Sequence, residues 1–321
     1  MAAPLLLCFA LLMVPARATP ADSLRPSSPT RRLACTYAND FFFGTDYYFT
    51  QGITLDWVSP ALAHVPTSHL LPRGPVGSTR YHGLALRYDG FTPLHIADKR
   101  IRVGDRPYAA YLYASAYRTS KQVRKKQRFT TAFDVGFIGP AAGGKPIQTQ
   151  LHEWTGATRP GGWDYQIRND AVLGYRVAYE KQLLATGRLA EFIGTAEASL
   201  GTLYTYASAG GKLRVGRFNP YFAGPEETGA AGPRRWQCYA QATLEGRLVG
   251  YDATLQGGLL NRSSPYTLAA GLVRRAVLRS TGSLVVAHQG FSFAATATYV
   301  GAEFAGGRPH RWGVLGLAQE F

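Results

Sequence analysis

The stretch Tyr47-Tyr-Phe-Thr-Gln-Gly-Ile-Thr-Leu-Asp-Trp57 alternates. One set of positions carries Tyr47, Phe49, Ile53, Leu55 and Trp57, broken only by Gln51; the other carries Tyr48, Thr50, Gly52, Thr54 and Asp56. Successive side chains on a β-strand point to opposite faces, so this is a strand with one apolar and one polar side. A soluble sandwich turns the apolar side to a core, whereas a membrane barrel turns it to lipid and fills the lumen with the polar side. The barrel reading sends Thr50 into the lumen.

Comparable stretches recur at residues 33–43, 82–91, 108–118, 129–138, 172–184, 189–206, 213–222, 236–250, 265–278, 284–301 and 311–321. The expectation is an all-β chain: a transmembrane antiparallel β-barrel of about twelve strands, an even number as in bacterial single-chain barrels. The final strand ends on Phe321, with Leu315 and Leu317 on the same face. No run of 18 or more apolar residues is present, which excludes a helical membrane protein. Only 17% of residues are charged, while Gly numbers 36 and Tyr 19. That composition suits strands with small and aromatic side chains better than a soluble α/β enzyme.

Residues 1–18 read as a secretory signal peptide. Leu5 to Val14 is apolar and Ala16-Arg17-Ala18 is a small-x-small cleavage pattern, while the run is too short to span a bilayer. A Pro/Ser/Arg-rich leader follows over 19–32, then a single domain over 33–321. Export places Cys35 and Cys238 in an oxidising compartment. They fall on non-neighbouring strands, too far apart to bridge, so two free thiols are expected. The formal net charge of +15 fits nucleic acid, an anionic surface or an anionic substrate, and equally a solvated set of basic loops; export argues against nucleic acid.

Strand parity organises the connections. With both termini periplasmic, those after strands one, three and five, near 43–46, 92–105 and 139–169, lie outside the cell. The basic run 121–128 faces the periplasm. The 139–169 connection is long enough to be functional. Its centre, 147–154, lacks Gly and Pro and predicts a short helix of about two turns. Gln148 and His152, four apart, share one face of it.

Several polar residues gather at this end. Asn39-Asp40 offers an amide oxygen and a carboxylate, the ligand type that calcium takes, although such a pair also simply begins turns. Thr50 stands on the facing strand. An imidazole, with an ordinary pKa of about 6.5, serves as general base for water, and a bound cation polarises an ester carbonyl. There is no Gly-x-Ser-x-Gly elbow for a serine nucleophile.

The blocks Asn39-Asp40, Asp46-Tyr-Tyr-Phe-Thr-Gln-Gly52, Gly104-Asp-Arg-Pro-Tyr-Ala-Ala110, Gly136-Phe-Ile-Gly-Pro140 with Gln148 and His152, and Trp163-Asp-Tyr-Gln-Ile167 with Asn169 occur in this order. Together they resemble the lipid A 3′-O-deacylase family of Gram-negative outer membranes. The resemblance is dense over 34–180 and afterwards rests on strand patterning and Phe321.

It implies a calcium-dependent ester hydrolase that removes the 3′-linked acyloxyacyl group of lipid A at the external leaflet of the bacterial outer membrane. The chain would act as a monomer among outer-membrane lipids and lipopolysaccharide. Carried over residue by residue, Asn39 and Asp40 match the calcium pair, and Thr50, Gln148 and His152 the catalytic set. Lys99 and Arg100 match, across a gap, a substrate-binding basic pair. Some relatives have an acidic residue six positions after the histidine, where this chain has Thr158, which leaves open which carboxylate supports the site.

Lys99, Arg100, Arg102 and Arg106 are candidates to hold lipid A phosphates by charge-assisted hydrogen bonds. The alternatives are an outer-membrane phospholipase, for which no Asn-Ser-Gly context is evident, and a non-enzymatic porin-like barrel whose loops bind lipopolysaccharide.

Overall fold

Each strand pairs antiparallel with its sequence neighbours, and the first pairs with the last. This closure removes every sheet edge, as a bilayer core demands of strands that cross it. The computed structural model describes residues 31–72, 74–187, 189–222 and 235–321. The twelve strands are β1 (Arg32–Asn39), β2 (Tyr48–Val58), β3 (Thr79–Thr92), β4 (Ala109–Gln122), β5 (Gln127–Ile138), β6 (Asp170–Thr186), β7 (Ala190–Gly201), β8 (Tyr204–Arg217), β9 (Trp236–Asp252), β10 (Ala276–His288), β11 (Phe291–Val300) and β12 (His310–Glu320). The signal peptide read over 1–18, and the leader up to residue 30, lie outside the described residues; Arg32, read as leader, opens β1.

The outward face is apolar, with Leu84 and Leu86 of β3, Leu244 and Leu248 of β9, and Leu278 and Leu284 of β10 exposed on it. No described helix is long and apolar enough to cross a membrane. The lumen is polar and paired: Arg87 with Asp89, Arg247 with Glu245, and Arg176 with Asp134. These line a cavity of about 340 Å³. Its mouth, at the end where connections 40–47, 93–108 and 139–169 emerge, is filled by Tyr48, Leu255, Leu268, Val273 and Phe304. Beside them the buried Arg106 reaches Glu303 at 2.5 Å and Thr254 at 2.7 Å and lies over the Phe91 ring.

The strand count and order match the reading of the sequence, while several boundaries differ. The first strand stops at Asn39, and Asp40–Phe43 make a 3-10 turn capped by the Asn39 side chain and closed by Gly44 in the left-handed region (φ 65). The apolar stretch 265–278 is mostly not strand: Leu268 and Val273 turn into the mouth, and β10 begins at Ala276. The stretch 189–206 contains the turn between β7 and β8. Cys238 is free and exposed. Cys35 is not the free thiol expected, and it is not joined to Cys238.

Candidate active site on the outer wall

A β-bulge decides where the site lies. Phe49 pairs with Phe91 and Gln51 with Gly90, so Thr50 is the extra residue in β2. A bulge puts two successive side chains on one face. Phe49 therefore turns into the lumen, stacked 4.3 Å from Trp312. Thr50 sits against Gly90 on the opposite, outward face, together with Gln51. This corrects the expectation of an inward Thr50 and an outward Phe49: strict alternation cannot show a bulge.

The connection 139–169 folds down over that outward face. It carries helix α1 (Gly144–Thr155), longer than the two turns expected and ended by Gly156 in the left-handed region (φ 69). Trp163 and Ala142 pack with Tyr88, Tyr108 and Ala110, against the outward side of β3 and β4. Contact is close because Gly144 has no side chain: a Cβ there would lie 2.5 Å from the Trp163 ring and 2.7 Å from the Ala110 Cβ. Gln148 and His152 share the buried face of α1, as their spacing predicts.

The hydrogen bonds run in a chain. The Trp163 indole N–H donates to Gln148 Oε1 at 2.7 Å, and this fixes the amide so that Gln148 Nε2 donates to Thr50 Oγ1 at 3.1 Å. Beside it Gln51 Nε2 donates to the Tyr88 hydroxyl at 3.0 Å. His152 Nδ1 lies 2.5 Å from the Thr158 carbonyl oxygen. A carbonyl only accepts, so Nδ1 carries the proton and Nε2 keeps its lone pair. The position where a carboxylate was sought thus supplies its main chain instead. Of the acidic residues considered for that role, Glu153 is exposed near Arg159, 3.7 Å away, and Asp134 faces the lumen.

Asn39 and Asp40 are both buried at the end of β1. Asn39 Oδ1 accepts from Phe41 N at 2.9 Å and its Nδ2 donates to the Tyr37 hydroxyl at 3.0 Å, so its side chain is a cap. Asp40 Oδ2 accepts from Tyr47 N at 2.9 Å. Burial, and then the neighbouring Asp46, push the Asp40 carboxyl up to about 9. Burial raises Asp46 as well, and the His152 imidazole draws it back down. Asp46 thus connects the Asp40 turn electrostatically to His152. Reading the sequence left Asp46 and Trp163 out of the site, although both stand inside the blocks quoted above.

Two neighbouring carboxyl groups whose ionisation burial opposes fit a hard divalent cation, which would supply the opposing charge. Among the described residues no three His, Cys, Asp or Glu side chains converge on one point. A cation here would draw on Asp40 and Asp46 together with amide, main-chain and water oxygens.

Lys99 and Arg100 are exposed on the 93–108 connection. That connection abuts the 139–169 loop, where a Cβ on Gly161 would lie 3.0 Å from Lys99 Cγ. No hydrogen bond joins either basic residue to Thr50, Gln148 or His152. Arg102 is paired with Asp98 and Asp105, and Arg106 is buried against Glu303. Those two are structural ion pairs rather than the phosphate ligands expected; of the four candidates, Lys99 and Arg100 are the ones without an ion pair among the described residues.

A closed twelve-stranded barrel with an apolar outer belt defines the class, an outer-membrane β-barrel, and its candidate site is a polar cluster on the outward side of the wall. The chain belongs to the LpxR family, whose model, described as outer membrane protein LpxR, matches residues 5–321. The solved structure of LpxR from Salmonella typhimurium superposes with a TM-score of 0.71 at 19% identity, covering 90% of this chain and 100% of that one. The β-domain of the Bordetella autotransporter BrkA aligns with a TM-score of 0.45 at 12% identity, over 92% of this chain and 99% of that one. No curated protein sequence matches the chain.

Proposed function

We propose that this protein is a calcium-dependent lipid A 3′-O-deacylase, with His152 as the general base. The observation that carries the reading is the orientation of His152. It is buried on the helix face turned to the wall, with its Nδ1 proton committed to the Thr158 carbonyl and Nε2 available to accept one.

In this mechanism His152 Nε2 takes a proton from water as the water oxygen bonds to the ester carbonyl carbon. The bond from that carbon to the sugar oxygen then breaks, and the leaving oxygen receives the proton back from Nε2. Because Thr50 Oγ1 already accepts from Gln148, its own proton is free to point at the substrate or the attacking water. Trp163 holds Gln148 in that orientation. A calcium ion, held by Asp40 and Asp46, would polarise the ester carbonyl and stabilise the charge that develops on it. Lys99 and Arg100, exposed and unpaired among the described residues, are placed to meet phosphate.

The outward position of the cluster suits a substrate that lies in the membrane and approaches the wall sideways. A porin-like role fits less well, since the lumen mouth is filled. Incubating purified protein with lipid A in excess chelator, then restoring calcium, tests the metal. Loss and recovery of the released acyloxyacyl chain is the expected result, and undiminished hydrolysis in chelator would remove calcium from the reading.

A further inference from the structure

A second recess lies on the outward wall, on the other side of the Asp40–Phe43 turn from α1. It is a groove of about 600 Å³ across β8 to β12. Its floor follows one cross-strand row: Leu213 pairs with Ala242, Ala242 with Gly282, Gly282 with Ala297, Ala297 with Gly313, and Gly313 with Asn39.

The row descends. Asn39 ends β1 and Gly313 stands near the start of β12 at His310, while Gly282 lies further into β10 and Ala242 in the middle of β9. Barrel strands tilt by about 35–45°, so a row perpendicular to them runs obliquely down the wall. The recess thus leads from the candidate site into the depth of the bilayer. Val215, Leu284 and Leu315 stand along one side. Phe42 closes the upper end, pressed on Gly313, where a Cβ would lie 2.8 Å from its ring. The polar lining residues Gln241, Ser283 and Thr296 pair in one cross-strand row of lumen parity, and Thr296 donates to Ser283 at 2.8 Å, so the side chains turned outward along the groove are apolar.

The mouth differs from the floor. Arg311, exposed and two residues from Gly313 on the same face, lies over the Phe43 ring at 5.1 Å and has no acidic partner among the described residues. A free cation above an apolar trench complements a molecule with an anionic head and a hydrocarbon tail.

We infer that this trench seats an uncleaved acyl chain of the same lipid A molecule whose ester lies at His152, with Arg311 beside a headgroup phosphate. The inference rests on the deacylase reading and makes the trench a specificity determinant. The Asp40–Phe43 turn then stands between two chains of one substrate, the one cleaved and the one parked.

Gly282→Leu is the probe, since a Cβ at Gly282 meets nothing within 4 Å and an apolar side chain keeps the wall lipid-compatible. Ala297→Leu and Arg311→Gln accompany it. Purified full-length variants are assayed in detergent micelles on two substrates: intact multiply acylated lipid A, and a glucosamine phosphate bearing only the 3-O-acyloxyacyl group. The trench account predicts a KM about tenfold higher for lipid A in Gly282→Leu and Ala297→Leu, a smaller rise in Arg311→Gln, and rates on the truncated substrate within about twofold of wild type. Unchanged kinetics on both substrates, or an equal fall on both, would overturn it.

If wild type hydrolyses neither substrate, the deacylase reading has failed, and native mass spectrometry of lipid A added to each variant decides the trench separately. Lower lipid A retention in Gly282→Leu supports it. Equal retention, or retention of phospholipid in place of lipid A, contradicts it.

Discussion

Trp163, Gln148 and Thr50 form a hydrogen-bonded chain, and His152 is held separately by the Thr158 carbonyl, so single substitutions are informative. Replacing His152 with Ala removes the proton acceptor and is expected to lower hydrolysis by a hundredfold or more, with the barrel still folded by its heat-dependent gel mobility. Trp163→Phe keeps an aromatic side chain but deletes the indole N–H and part of the buried ring, leaving the Gln148 oxygen without a donor and a small cavity beside it. The cost is about 1–3 kcal/mol of stability, read by thermal unfolding. The freed amide can also flip, so kcat is expected to fall while KM holds. Thr50→Ser is expected to retain activity and Thr50→Val to lose it; equal activity in the two would remove the hydroxyl from the mechanism. At this scale the spacing of Gln148 and His152 was legible because a helix brings positions four apart together. The carbonyl of Thr158 was not, since no side chain announces a main-chain partner.

At the scale of elements, the site is made by a bulge and a folded-down loop. Alternation in β2 correctly announced a strand, but it placed Thr50 in the lumen, because a single inserted residue reverses the pattern without changing its composition. The position of α1 depends on Gly144, whose missing side chain lets the helix rest on Ala110 and Trp163. Gly144→Val is therefore expected to lift α1 from the wall and reduce hydrolysis about tenfold or more, since small displacements of catalytic groups are costly. The β-sheet signal in circular dichroism should stay unchanged. Coincident loss of barrel and activity would show instead that α1 is needed for folding. The misread stretch 265–278 has a related cause: Leu268 and Val273 are apolar because they plug the mouth, and periodicity does not distinguish a plug from a strand.

For the whole molecule, the twelve strands and their order were legible because a bilayer imposes one repeated demand, apolar outward and polar inward, on every strand. What fills the lumen was less so: Arg87–Asp89 and Arg247–Glu245 stand two apart on one strand, but Arg176–Asp134 and Arg106–Glu303 join residues far apart in sequence. A mouth filled by Tyr48, Leu255, Leu268, Val273 and Phe304 predicts no open-channel conductance in planar bilayers; steady single-channel steps would revive the porin-like reading. On the proposed reading the barrel is a wall that presents the cluster around His152 to lipid.

The most direct measurement is the mass spectrum of lipid A from cells expressing the wild-type protein or His152→Ala at equal levels in the outer membrane. The account predicts loss of the 3′-acyloxyacyl mass with wild type and intact lipid A with the variant. The same acylation pattern in both would contradict it.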